Sequence, residues 1–203
     1  MREIPILFST PMVQAIFAGN KTMTRRIIKP QPPKQWDKCK PVKNSTGEIF
    51  SWDFYNSSDR LDHGYLKVKC PYGQPGDRLY VKEAIKRIDW ADGIPGIAYV
   101  ADNEPVWDMT RPCQWVWKNK GLPSMYMPKS IARIWLEVVS VRVERLQDIT
   151  EQDARAEGVM PDPRWHYQYC EVFARLWDSL NKNRGFSWDS NPFVWVIEFG
   201  RLA

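Results

Sequence analysis

Lys21, Thr22, Thr24, Arg25 and Arg26 lie side by side in the run Gly19-Asn20-Lys21-Thr22-Met23-Thr24-Arg25-Arg26. An amine, two hydroxyls and two guanidiniums at this spacing permit two chemistries. A threonine hydroxyl becomes a nucleophile when a neighbouring base takes its proton, and a lysine serves as that base once burial and nearby cations lower its pKa. Alternatively, the run is a basic turn that holds phosphate, its threonines present for their β-propensity. The residues alone leave both open. On a strand Thr22, Thr24 and Arg26 share one face, and Met23 and Arg25 the other. Lys21 precedes the strand, where its amine can fold back over the threonine face.

Two carboxylates could complete a site. Glu157 falls in the last turn of a short predicted helix, where the helix dipole disfavours negative charge. Local rules are broken more often at functional positions than elsewhere. Glu83 ends an apolar strand and is expected either to point into the interior or to pair with an arginine. His63 and His166 are the only histidines, and Cys39, Cys70, Cys113 and Cys170 are widely spaced with no CxxC pair. No zinc site and no cofactor are expected.

Charge points to an anionic partner. Residues 1–43 hold nine Lys or Arg against two acids, a net +7, while the remaining 160 residues carry −2. A basic segment on a near-neutral body favours nucleic acid, here through residues 21–43. Pro5, Pro11 and Gln14 interrupt the apolar stretch near the start, so no secretory signal is expected, nor any membrane span. Reduced thiols in a cytoplasm are the expectation. Eleven tryptophans are read first as core and rim residues.

These residues must be positioned by short elements. Ile4–Phe8 and Thr22–Ile28 read as strands around a helix with Thr10 as hydroxyl cap, Pro11 at its first position and Gly19 at its end. Residues 29–77 are rich in proline and carry one expected hairpin around Glu48–Phe54 and Tyr65–Val68. Arg78–Glu83, Ile97–Ala101, Ser130–Leu146 and Asn191–Phe199 are further strands. In Ser130–Leu146, residues Ile131, Arg133, Trp135, Glu137 and Val139 alternate with an opposite face. Thr150 opens a helix with a Thr-x-x-Asp box closed by Gly158, and a second helix falls within Arg164–Asn181. With no βαβ rhythm, the expected class is α+β, a small mixed β-barrel with peripheral short helices.

Three segments strengthen that expectation. Gly19-x-Lys21-Thr22-x-Thr24-x-Arg26, Pro75-Gly76-Asp77-x-Leu79-x-Val81 and Val194-Trp195-Val196-Ile197-Glu198-Phe199 resemble the ASCH family of PUA-like β-barrels. Ile149–Glu157 is similar to the segment that carries the catalytic glutamate in the family's N(4)-acetylcytidine amidohydrolases. Longer relatives with the Cys70–Gly73 and Trp177–Asn181 stretches look like phage or prophage proteins. The resemblance implies one domain over 1–203, with insertions at about 30–68 and 86–114. It implies Thr24 as nucleophile, Lys21 as its base and Glu157 as the carboxylate partner.

The leading expectation is an amidohydrolase acting on an acylated cytosine-type nucleoside, with Arg26 or backbone N–H groups on the oxyanion. Phe8, Trp135 and Trp195 are the expected stacking residues, with Arg25 and Glu83 also at the substrate. The alternatives are a non-catalytic reader of RNA or modified nucleotides, and a metal-independent ribonuclease, for which no histidine stands near the motif.

Overall fold

Phe193-Val194-Trp195-Val196-Ile197 is apolar on both faces, and such a run is stable only between two covering layers. In the computed structural model, which describes residues 1–45, 47–56, 66–90, 93–108, 111–161 and 168–202, it lies inside the largest sheet. The strands in chain order are β1 (Glu3–Leu7), β2 (Met23–Ile27), β3 (Lys38–Lys43), β4 (Ile49–Tyr55), β5 (Leu66–Val68), β6 (Arg78–Lys82) and β7 (Ile85–Asp89). They continue as β8 (Pro95–Tyr99), β9 (Trp107–Asp108), β10 (Arg111–Pro112), β11 (Gly121–Leu122), β12 (Trp135–Arg145) and β13 (Phe193–Arg201). The α-helices are α1 (Thr10–Phe17), α2 (Glu151–Ala156) and α3 (Tyr169–Asn181). The protein is α+β and mostly strand. None of its described helices is long and apolar enough to cross a membrane.

The five-stranded sheet runs β1-β6-β12-β13-β2, with β1 and β6 parallel and the other pairs antiparallel. Alternation along β13 sends Phe193, Trp195, Ile197 and Phe199 into one core, with Val13 and Ile16 of α1 and Trp52 and Phe54 of β4. Val194 and Val196 enter a second core with Met23, Ala154 of α2 and Phe173 and Trp177 of α3. A third core, around Ile85, Tyr99, Trp115 and Met127, belongs to the β11-β7-β8 sheet.

Closure of a barrel is not found. No ladder joins β1 to β2 among the described residues; instead Arg26 Nη2 of β2 donates to the Leu7 carbonyl of β1 at 2.7 Å.

Other expectations are extended or corrected by specific contacts. The expected hairpin is present as the antiparallel pair β4-β5, and β3, which was not expected, extends it to a three-stranded sheet. Pro41 sits in its edge strand β3, a position where a missing N–H costs no ladder bond. The expected alternation holds along β12 as far as Val139, with Leu136 and Val138 buried and Glu137 and Val139 exposed, and a β-bulge between Val138 and Ser140 breaks it beyond. Ser9, not Thr10, is the N-cap of α1, with no side-chain bond, because Pro11 falls at its second position. His63 and His166 lie outside the described residues.

The Pro75-Gly76-Asp77 turn is tied to the N-terminus. Asp77 Oδ1 accepts from Arg2 N at 2.7 Å, and Oδ2 from Arg2 Nη2 at 2.8 Å and Gln74 N at 3.1 Å. Burial pushes the Asp77 carboxyl up, but these hydrogen bonds outweigh it and hold the pKa below 3.8. A depressed folded pKa gives stability that is present above the unfolded value and lost as pH falls through the folded one. Asp77→Asn is therefore expected to destabilise by about 1–3 kcal/mol at neutral pH. The gap to wild type should narrow in urea melts run below pH 3.8.

Candidate active site

Two glycines bring the site's backbones together. Gly19, at φ 72°, ends α1 and lets both Asn20 N and Lys21 N reach the Ala15 carbonyl, at 2.9 and 3.1 Å. Gly158, at φ 83°, follows α2, whose N-terminus is capped by Thr150 Oγ1 accepting from Asp153 N at 3.1 Å. Lys21 and Glu157 then face each other across an isolated antiparallel bridge, and Thr22 N donates to the Ala156 carbonyl at 2.9 Å.

The two side chains form a buried ion pair. Lys21 Nζ donates to Glu157 Oε2 at 2.9 Å, to the Glu157 carbonyl at 2.7 Å and to the Met23 carbonyl at 2.8 Å. These three acceptors use all the protons of an ammonium. Burial pushes the Lys21 pKa down; Glu157 opposes the shift, and Arg26 and Arg25 add to it, leaving it below 10.5.

Arg25 reaches the same carboxylate from the other face of β2. Its Nη2 donates to Asp153 Oδ2 at 2.8 Å and Glu144 Oε2 at 3.0 Å, and its Nη1 lies 3.7 Å from Glu157 Oε1. Arg142 ties Glu144, Asp153 and Glu198 to this cluster. Glu157 Oε1 is buried with no hydrogen-bond partner among the described residues, as is Arg26 Nε.

A cavity of about 680 Å³ opens beside this pair, between the unpaired edges of β1 and β2. Phe8, Thr24, Arg25, Arg26, Glu157 and Trp195 line it. Thr24 is 3% exposed, the most buried hydroxyl in the lining, since Ser9 is exposed and Tyr72 and Ser124 are half-buried. Arg26 lies between two rings, its Cζ 5.2 Å from the centre of Phe8 and 5.9 Å from that of Tyr72. Lys21 stands behind Glu157, outside the lining, and no hydrogen bond joins it to Thr24. Trp195 packs edge-on against Trp52 in the floor.

Two expected site residues lie elsewhere. Trp135 pairs with Tyr80 and lines a separate depression with Glu3, Arg78 and Leu202, because its neighbour Leu136 takes the inward position. Glu83 is fully engaged by Arg133, whose Nε and Nη2 reach its two oxygens at 2.9 and 2.8 Å. Sequence reasoning missed Tyr72 and the α3 residues Phe173, Leu176, Trp177 and Asn181, which wall the cavity. Their helical spacing reads as ordinary core, so only a packing partner could have revealed them. Among the described residues no cluster of His, Cys, Asp or Glu is arranged to hold a metal.

Comparison with protein-family models, with curated proteins and with solved structures gives no match to this chain.

Gly158 is the most exacting position in the site. A Cβ there would lie 2.9 Å from Ala15 Cβ and 2.9 Å from Lys21 Cβ, on a backbone that L side chains rarely adopt. Gly158→Ala is expected to cost about 1–3 kcal/mol, seen as a lower urea midpoint at unchanged slope.

Proposed function

We propose that this protein is an amidohydrolase that removes an acyl group from the exocyclic amine of a cytosine-type nucleoside such as N(4)-acetylcytidine. The observation that carries this reading is Glu157. One of its oxygens holds Lys21, and the other is buried without a donor in the wall of a cavity that also contains Thr24 and Arg26. A secondary amide on a flat base offers the missing complement, an N–H for Glu157 Oε1 and a carbonyl oxygen for the Arg26 guanidinium. The resemblance of Gly19–Arg26 and Ile149–Glu157 to ASCH amidohydrolases, built on a PUA-like barrel, points the same way.

In this reading Thr24 Oγ1 attacks the acyl carbon. Lys21, in its amine form, exchanges its contact with the Met23 carbonyl for the threonine hydroxyl and takes that proton. Arg26 balances the oxyanion. As the C–N bond breaks, the Lys21 ammonium returns the proton to the leaving amine, and Glu157 keeps Lys21 oriented. Water then hydrolyses the threonine ester, releasing the carboxylic acid and restoring Thr24.

Thr24→Ala is expected to lower acetate release from N(4)-acetylcytidine by roughly 10³-fold or more, while Thr24→Ser retains turnover and both keep the wild-type melting temperature. Because the base works unprotonated, kcat/KM should rise with pH along a limb centred below 10.5, the ordinary lysine value that burial lowers here. Unchanged turnover in Thr24→Ala would overturn the assignment.

A second reading, RNA binding, is favoured by the outward face of β3-β4-β5. The register places Lys38 opposite Tyr55, and Lys40 and Lys67 on either side of Asp53. Lys40 Nζ lies 5.5 Å from the centre of the Tyr55 ring. Exposed lysines around an aromatic ring suit a single strand. The log of affinity for a single-stranded RNA is then expected to fall linearly with log salt, and Lys38→Ala or Lys40→Ala should each reduce that slope by about 0.7. A flat salt response in filter binding would remove this reading.

A further inference from the structure

We infer that the α3 side of the cavity is a pocket for the acyl chain, so that the substrate it fits best carries an apolar acyl group longer than acetyl. The pocket rests on the amidohydrolase reading of the same cavity and narrows its substrate class.

The cavity reaches both faces of one strand. Thr24 and Arg26 of β2 share the face of Ile197 and Trp195, whereas Arg25 and Ile27 share that of Val196 and Val194, which α3 covers. All four β2 residues nevertheless line the same cavity. Side chains of opposite faces meet one cavity where it passes round the strand's free edge. The ladder agrees with this. Phe199 N donates to the Thr22 carbonyl and Ile28 N to the Phe193 carbonyl, so Met23, Arg25 and Ile27 turn their backbone groups away from β13 and towards the gap. Across the gap, Ile6 and Phe8 of β1 enter the core of Trp195, and Leu7 between them points to the α3 side.

Two compartments therefore join at the gap. One holds Phe8, Tyr72 and Trp195 around Arg26, rings suited to a flat base. The other is bounded by Leu7, Ile27, Phe173, Leu176 and Leu180, all apolar. Arg25 borders it as well, but its guanidinium is spent on Glu144 and Asp153. Leu7 is 40% exposed and Leu180 49%, so two elements present bare apolar surface to one compartment. A ligand chain lying there removes that surface from water.

Thr24 stands at the junction. With the acyl carbon at its hydroxyl and the base among the rings, the rest of the acyl group is directed past the edge of β2 to α3. An acetyl group ends at the gap, while a longer chain lies along the stripe of Phe173, Leu176 and Leu180. That stripe is about 10 Å long at the rise of an α-helix. It stops at Asn181 and Arg184, which also line the cavity, and Lys29 stands at the same end, its Nζ 5.7 Å from the centre of the Phe186 ring. The apolar length is therefore bounded, and a chain that outruns it meets polar groups.

The test measures kcat/KM of the full chain for N(4)-acetyl-, butyryl-, hexanoyl-, decanoyl- and succinylcytidine. From acetyl to hexanoyl a rise of about threefold per added methylene is expected, with no further gain at decanoyl. Leu180→Ala and Leu7→Ala, both at exposed positions, should each lower the ratio of hexanoyl to acetyl by about threefold or more. Val139→Ala, an exposed apolar position outside the cavity, should leave that ratio as it was. Values that stay flat or fall from acetyl to hexanoyl would overturn the pocket, as would a ratio that neither leucine variant moves. Succinyl outranking butyryl would also overturn it, by assigning that side to an anion. If no acylcytidine is cleaved, the amidohydrolase reading fails, and calorimetry with N(4)-methylcytidine and N(4)-hexylcytidine decides the pocket by itself. Tighter hexyl binding that Leu180→Ala weakens would sustain it, and equal binding would end it.

Discussion

The buried Lys21–Glu157 pair is the constraint around which the site is arranged. Taking an ammonium and a carboxylate out of water costs several kcal/mol per ion, so both need a full set of partners. Lys21 has them: two backbone carbonyls and one carboxylate oxygen accept its three protons. Glu157 does not, because its second oxygen lacks a donor. Removing either partner would strand a buried charge at a cost of about 3–5 kcal/mol. The chain therefore holds Gly19–Arg26 against residues 149–158 by charge as well as by backbone bonds. Arg25 extends the same arrangement outward, through Glu144 and Asp153 to Arg142 and Glu198.

The cavity lies at the place where the main sheet fails to close. A ladder between β1 and β2 would fill the space now occupied by Phe8, Thr24 and Arg26. Instead one guanidinium spans the gap, wedged between Phe8 and Tyr72. The excursion between β2 and β6 completes the enclosure. Its inner face supplies Trp52 and Phe54 to the core beneath Trp195, and its end supplies Lys69 and Tyr72 to the cavity. Helix α3 closes the remaining side, so the walls come from segments far apart in the chain.

Particular residues show how much of this was legible. Alternation along Thr22–Arg26 separated Thr24 and Arg26 from Met23 and Arg25, and the register confirms it: Thr24 opposes Ile197 and Arg26 opposes Trp195, while Arg25 opposes Val196. Gly19, Thr150 and Gly158 were legible because caps and left-handed turns are local properties. The oddity of Glu157 on its helix was also local, and its partner turned out to be Lys21. Pro41 hid strand β3, since a proline is tolerated at a sheet edge that the sequence does not mark. Trp135 misled because an amphipathic strand does not say which of its faces meets the cavity.

Local sequence thus determined where the chain turns, which residues share a face, and that a lysine, a threonine and an acid were available for chemistry. These follow from backbone sterics and side-chain period, which act over a few residues. Only the tertiary structure decided that Lys21 spends its protons on Glu157 and Met23 and none on Thr24, that Glu83 belongs to Arg133, and that β1 and β2 stay apart. Those outcomes depend on burial and on competition among partners distant in sequence, as with Lys21 and Glu157, 136 residues apart. The strength of a charge contact is set by how much water the fold removes from it, and no local pattern encodes that.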